Sequence, residues 1–362
     1  MKIFLDTNIF YNDWFIRNAD FKYLFHFSNN EGHTLIISKL VIQEVENIRS
    51  RDLDSCLSEI KKQVSKLQKL NLNRIHYDQS GFGIEEYKLL PLLKGKVDDI
   101  EVFDYDRISH SEVVGRALTN KKPFLKGEKG YRDTLIWLSF LSHIAKSDTK
   151  NDDVVFITNN KTDFFRVKDK AVEFHEDLAS DIKEKKITSN IKCFTSLFDF
   201  VNSVIDKNDH AVDRSNSDKI FEDFITDSGS EFIENMSNWD LSKYYETSIF
   251  DSKVKDILDI RTDVWEGLED PEFINTTKLD GNDIYISYKY NLRIVTVEID
   301  VPELDYLENK AELDNLFVDV ELSSGIATLT SYIRPYFGVS FIYNDKDGSL
   351  KNYEVAELWL RH

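Results

Sequence analysis

The stretch Lys2-Ile3-Phe4-Leu5-Asp6-Thr7-Asn8 decides the reading of this chain. An apolar, β-prone run ends abruptly in a carboxylate, a hydroxyl and an amide. That is the pattern of a central parallel strand delivering polar side chains to the carboxyl edge of an open α/β sheet, where such folds keep their sites. Working outward, further strands are predicted at 34–38, 154–158 and 191–194, with helices over 40–51 and 132–145 and a long polar helical stretch over 54–72. Strands alternating with helices imply a parallel sheet covered on both faces.

Composition sets the frame. The 362 residues are 41% apolar, enough for a sizeable core in two domains or one large one. No run nears ~20 apolar residues, so no membrane span is expected, and no basic-then-apolar leader precedes the first strand. Only Cys56 and Cys193 occur, too few for a disulfide framework or a cysteine zinc site and in keeping with a reducing cytoplasm. The net charge of −19 is lopsided: residues 1–204 hold 31 basic and 31 acidic side chains, so residues 205–362 carry all of it. The polar run over 205–219 marks a boundary. Domains are therefore expected at 1–204 and 205–362, the second helical over 218–263, in two helices at 218–234 and 241–263, and β-rich over 283–362. Its strands are predicted at 284–290, 292–301, 316–322, 326–333, 338–343 and 353–360, with a hairpin loop at Asn344-Asp345-Lys346-Asp347-Gly348. The expected fold is α/β followed by α+β with an antiparallel sheet.

Three more acids occupy settings related to that of Asp6. Glu44 falls on the second turn of a helix that Ser38 is placed to cap. Asp133 opens a helix in Gly130-Tyr131-Arg132-Asp133, where capping alone would also account for it. The strand at 154–158 breaks into Thr158-Asn159-Asn160, with a helix expected to begin near Asp163, three residues on; either Asn160 or Asp163 is placed to face a site. In a parallel sheet, strand ends and the helix starts that follow them share one edge. Carboxylates gathered there repel one another unless a cation holds them ionised. An all-oxygen donor set favours Mg²⁺ or Mn²⁺ over zinc. The densest basic run of this half, Lys121, Lys122, Lys126, Lys129 and Arg132, directly precedes Asp133 and is expected to steer or clamp a phosphate backbone. Asn8 and Arg116 are further candidates for lining the site.

Taken in order, these motifs resemble the PIN-domain nucleases, in particular a large bacterial PIN-like subgroup, over about residues 1–200. The carriers are D-T-N after the first strand, an acid about forty residues on, R-D-x-x-I opening a helix, and T-N-N-x-x-D-F after a later strand. The resemblance implies metal-site carboxylates at Asp6, Glu44 and Asp133, a loop shaped by Thr158 and Asn159, and endonucleolytic hydrolysis of single-stranded RNA by metal-activated water. Many members carry Asp where this chain has Asn160. The fourth acid is then Asp163 or absent, and single-metal hydrolysis stays open beside two-metal chemistry. Catalysis is expected of Asp6, Glu44, Asp133 and Asp163, with Thr7, Asn8, Thr158, Asn159 and Asn160 shaping the site.

Other enzymes that open on a strand and an acid fit less well. A haloacid-dehalogenase-like phosphatase wants Asp at position 8, which is Asn. No G-x-x-x-x-G-K-[ST] and no G-x-S-x-G motif occurs. The rival from another class is a PIN-like scaffold that binds RNA or a protein without cleaving. A third reading is a toxin or defence effector restrained by its acidic part, which is also the candidate surface for a regulatory partner or homo-oligomer.

Overall fold

The computed structural model describes residues 1–11, 13–124, 129–146, 153–168, 171–205, 211–212 and 214–361. The chain divides into two compact units, Met1–Arg17 with Leu24–Phe200, and Asn18–Tyr23 with Val201–His362.

In the first unit the strands are β1 (Lys2–Leu5), β2 (Thr34–Ser38), β3 (Ile100–Phe103), β4 (Val154–Ile157), the hairpin β5 (Phe165–Lys168) and β6 (Ala171–Phe174), and β7 (Ile191–Phe194). The helices are α1 (Ala19–Glu31), whose first turns belong to the other unit, then α2 (Lys39–Leu70), α3 (Leu89–Lys94), α4 (His110–Leu118), α5 (Tyr131–Lys146), α6 (Lys161–Phe164), α7 (Glu176–Glu184) and α8 (Leu197–Val204). A parallel sheet runs in the order β3-β2-β1-β4-β7. The expected parallel α/β architecture is what the structure has. Its central strands β1 and β4 are buried throughout, as near-continuous apolar runs covered on both faces must be. Phe4 stacks on Phe156 at 4.8 Å, and Phe140 and Trp137 of α5 pack against Phe156 at 5.1 and 5.7 Å.

Two expectations shift here. The helical stretches at 40–51 and 54–72 are one helix of 32 residues, because no Gly or Pro interrupts it and Ser38 caps its start by accepting from the Leu40 N–H at 3.2 Å. The helix expected from Asp163 is a single turn, α6, after which the chain enters the β5–β6 hairpin.

In the second unit an antiparallel sheet is built from β8 (Asp259–Lys278), β9 (Asp283–Pro302), β10 (Asp319–Ser323), β11 (Ile326–Asn344) and β12 (Leu350–Arg361), in the order β10-β11-β9-β8 with β12 also on β11. The helices are α9 (Arg214–Glu234), α10 (Asn238–Tyr244), α11 (Ile249–Ser252), α12 (Glu303–Glu308) and α13 (Lys310–Leu316). The antiparallel sheet is as expected, but four predicted strands merge into two long ones, β9 and β11. The helix predicted over 241–263 ends early: the chain is extended from Asp259 as β8. That strand escapes a sequence reading because Gly267 and Pro271 interrupt it. It lies at the sheet edge, and Pro271 falls within the register shift between Glu269 and Glu272. The Asn344–Gly348 segment joins β11 to β12, closed by the Asn344 N–H donating to Ser349 O at 2.9 Å. Within this unit the Tyr285 hydroxyl donates to Asp20 at 2.8 Å and the Tyr23 ring lies 5.3 Å from that of Tyr285. Among the described residues no helix is long and apolar enough to cross a membrane.

Candidate active site

The site begins with a register. Leu5 of β1 pairs with Ile157 of β4, so the next residues, Asp6 and Thr158, leave the sheet side by side. The Asp6 N–H still donates to Ile157 O at 3.0 Å, which fixes the start of the loop. Asp6 then caps the single 3₁₀ turn Thr7–Phe10 by accepting from the Thr7 N–H at 2.8 Å. Its other oxygen accepts from the Thr158 hydroxyl at 2.6 Å and from the Asn8 amide at 3.4 Å. Thr158 Oγ1 in turn accepts from Asn8 Nδ2 at 3.0 Å and from the Asn160 N–H at 3.1 Å, while the Asn159 N–H donates to Asn8 Oδ1 at 2.9 Å. The D-T-N and T-N-N segments thus bind one another, and each residue of both is used.

The other two acids come from helix starts. Glu44 projects from the second turn of α2 and accepts from the Thr7 hydroxyl at 2.9 Å. Asp133 lies in the first turn of α5. That turn is entered through Gly130 at φ +103°, where a Cβ would stand 2.5 Å from Pro123 O, so only glycine fits. Asp6, Thr7, Asn8, Tyr11, Glu44, Arg132, Asp133, Asn159 and Asn160 line one cavity of about 350 Å³.

Electrostatics mark this cavity. Burial pushes the Asp6 carboxyl up to about 7, against the Thr158 hydrogen bond and with help from Asp133 and Glu44. Burial likewise raises Asp133 to about 6, with Asp163 and Glu44 adding repulsion. Burial and the nearby Glu44 raise the Tyr11 phenol to about 12. The cation facing these groups is Arg132, whose guanidinium lies 2.5 Å from Glu44 although its side chain is 62% exposed.

Asp163 is 7% exposed but does not line the cavity. Its carboxylate accepts from Asn160 Nδ2 at 2.8 Å and lies 3.7 Å from Lys122 Nζ. Asn160 thus occupies the lining with Asp163 behind it. The basic run is also largely committed. Lys121 donates to Asp181 at 2.7 Å, the Lys122 N–H to Asp177 at 2.9 Å and Lys122 Nζ to Thr162 O at 2.8 Å. Lys129 is exposed, and Lys126 lies outside the described residues. Arg116 does not line the cavity: it is 7% exposed, donates to Asp181 at 2.5 Å and bonds the Lys122 carbonyl. A sequence reading pairs neither, because the partner, Asp181, is 60 or more residues away. Tyr11 is the lining residue that sequence reasoning missed; its signal is its place just after the Thr7–Phe10 turn.

The lining offers hard oxygen donors from Asp6, Glu44, Asp133 and three Asn side chains, without Cys or His. This donor chemistry fits Mg²⁺ or Mn²⁺, and Arg132 already stands in the cavity as a cation. Among the described residues no group of three His, Cys, Asp or Glu side chains is yet drawn together as a ligand set. One of the candidate ligands, Glu44, is paired with Arg132.

Residues 3–164 match the family model of the PIN domain. No curated protein and no solved structure matches the chain. The matched segment, just under half of the chain, runs from β1 past β4 and holds all the residues that line the cavity, so the N-terminal part is similar to the PIN domains, which are generally nucleases.

Proposed function

We propose that the N-terminal domain is a divalent-metal-dependent endoribonuclease. The observation that carries this reading is the convergence of Asp6, Glu44 and Asp133 on one cavity at the carboxyl edge of the parallel sheet. These three carboxylates would hold Mg²⁺ or Mn²⁺, with Asn160 beside them and Asp163 positioning Asn160. When bound, such an ion lowers the pKa of a water and neutralises charge growing on the phosphodiester. The chain's own groups do the rest. Thr158 and the Thr7 N–H orient Asp6, Thr7 orients Glu44, and Arg132, freed from Glu44, is long and exposed enough to reach a phosphate oxygen. The lining has no Ser, Cys or His, its Thr7 hydroxyl is committed to Glu44 and its Tyr11 phenol is held protonated, so water is the proposed attacking group. RNA rather than DNA follows from the family resemblance. The cytoplasm is the proposed location, and the domain limits are proposed as 1–204 and 205–362.

The Arg132–Glu44 pair is the one observation favouring a scaffold that binds without cleaving. Labelled single-stranded RNA, incubated with the full chain plus Mn²⁺ or EDTA, decides between them. Metal-dependent cleavage lost in Asp6→Asn and Asp133→Asn supports the nuclease, whereas binding without cleavage in every condition supports the scaffold. The proposal extends to a toxin or defence effector, for which expression of the wild-type chain, but not of Asp6→Asn, arrests growth.

A further inference from the structure

Helix α2 leaves the first unit's core soon after its opening turns. Its buried residues are Val41, Ile42 and Val45, whereas of residues 51–70 none is buried. At ~1.5 Å per residue those twenty residues make an arm about 30 Å long. Its composition is one-sided: between Glu59 and Asp78 there are five basic residues, Lys61, Lys62, Lys66, Lys69 and Arg74, and no acid. At 3.6 residues per turn, Ser58, Lys61, Lys62, Ser65, Lys66 and Lys69 fall within about 140° of arc. The same six residues line one groove. The arm's apolar residues, Leu53, Leu57, Ile60, Val64 and Leu67, lie on the opposite side.

The four lysines differ from those beside the cavity. Lys121 and Lys122 are paired with Asp181 and Asp163, and Arg132 with Glu44. Among the described residues Lys61, Lys62, Lys66 and Lys69 have no acidic partner. Small serines between them leave room for a strand to lie along the helix, with ammonium groups on both sides. A row of unpaired ammonium groups is complementary to a chain of phosphates, which releases condensed counterions on binding.

We propose that this lysine face of α2 is the main phosphate-backbone contact of the protein, holding the nucleic-acid strand at a distance from the bond to be cut. The inference rests on the nuclease reading and assigns the substrate grip to the arm instead of the loop before Asp133. Because Glu44 and the lysines share one helix, the spacing follows from the helical rise. Lys61 lies about 26 Å and Lys69 about 38 Å along the axis from Glu44. At ~3.4 Å per stacked nucleotide, contact begins about eight nucleotides from the site.

The test is binding of a labelled 30-nucleotide single-stranded RNA to the full chain in EDTA, where no cleavage intrudes, across 50–300 mM KCl. Compared with wild type, K61Q/K62Q/K66Q/K69Q is expected to bind at least about tenfold more weakly. Its plot of log affinity against log salt is expected to flatten by about 2–3, the change for some four phosphates at ~0.7 each. The corresponding four Lys→Arg changes retain both properties. Cleavage of a four-nucleotide RNA with Mn²⁺ is insensitive to the Gln changes, because at about 14 Å it cannot reach from the arm to the cavity. An unchanged affinity and salt slope in the Gln variant overturns the proposal, as does loss of binding to phosphatidylserine vesicles with RNA binding intact. Stripe-dependent binding by a wild type that cleaves nothing with Mn²⁺ would leave the arm standing and remove the nuclease; cleavage with no stripe dependence would do the reverse.

Discussion

Asp6 and Asp181 are both aspartates of the first unit and both are almost fully buried, at 2% and 4% exposed, yet their surroundings are opposites. Asp181 receives Arg116 at 2.5 Å, Lys121 at 2.7 Å and the Trp137 indole N–H at 2.9 Å. Burial pushes its carboxyl up, but those three donors outweigh burial and hold it below the usual range. Asp6 receives only neutral donors and has Asp133 and Glu44 nearby, so burial prevails and its carboxyl rises to about 7. A buried charge that its own chain satisfies is architecture. One left among like charges beside an opening is prepared for something from outside.

The first way to break this contrast is Asp181→Ala, which strands the Arg116 guanidinium in a site where its side chain is 6% exposed. Loss of about 3–5 kcal/mol of stability is expected in urea unfolding, with cleavage per folded molecule unchanged. A loss below about 1 kcal/mol would mean that the node is not structural. The mirror experiment is Asp6→Asn. Cleavage is expected to fall by about 10²–10³-fold, some 3–4 kcal/mol of barrier, while the melting temperature holds or rises, because a carboxylate costly to ionise has gone. A cooperative loss of stability would place Asp6 with Asp181 instead.

Gly130→Ala sharpens the comparison at the entrance to α5. Its positive φ and the 2.5 Å approach to Pro123 O make any side chain strained, at about 1–3 kcal/mol. Because α5 carries both Asp133 and Trp137, cleavage and stability are expected to fall together. A variant as stable and active as wild type would show that the turn relaxes freely.

The smallest effects are those of pH, and the two aspartates pull in opposite directions. With a native value below its ordinary one, Asp181 contributes stability that is present above about pH 4 and lost as pH falls through its native value. Asp6, raised from 3.8 to about 7, contributes in the opposite sense: between those values the folded chain binds the extra proton. In EDTA its contribution therefore falls as pH rises from 4 to 7. Melting curves of wild type, Asp6→Asn and Asp181→Asn over pH 3–8 separate the two limbs. Parallel curves for wild type and Asp6→Asn would contradict the environment described for Asp6.

Much of the first unit was legible because parallel strands buried on both faces advertise themselves. The runs at 3–5, 34–38, 154–158 and 191–194 correspond to β1, β2, β4 and β7 within a residue. Strand β3 was not legible, since Ile100-Glu101-Val102-Phe103 lies at the sheet edge with only Phe103 buried. The edge on which the carboxylates gather could be read from topology alone. The partners of the basic residues could not, because Lys121–Asp181 and Arg132–Glu44 are pairings across the fold that no local pattern encodes. The lysine face of α2 was read only as a polar stretch; its meaning rests on what those residues do not touch.

Residues 18–23 belong with a unit whose remaining members start at Val201. During synthesis at roughly 5–20 residues per second, Asp20 waits for Tyr285 to be made, on the order of ten seconds or more later. Cutting the gene between the two units therefore does not cut the protein into two self-sufficient parts: a product ending near residue 200 carries an orphaned segment of its neighbour.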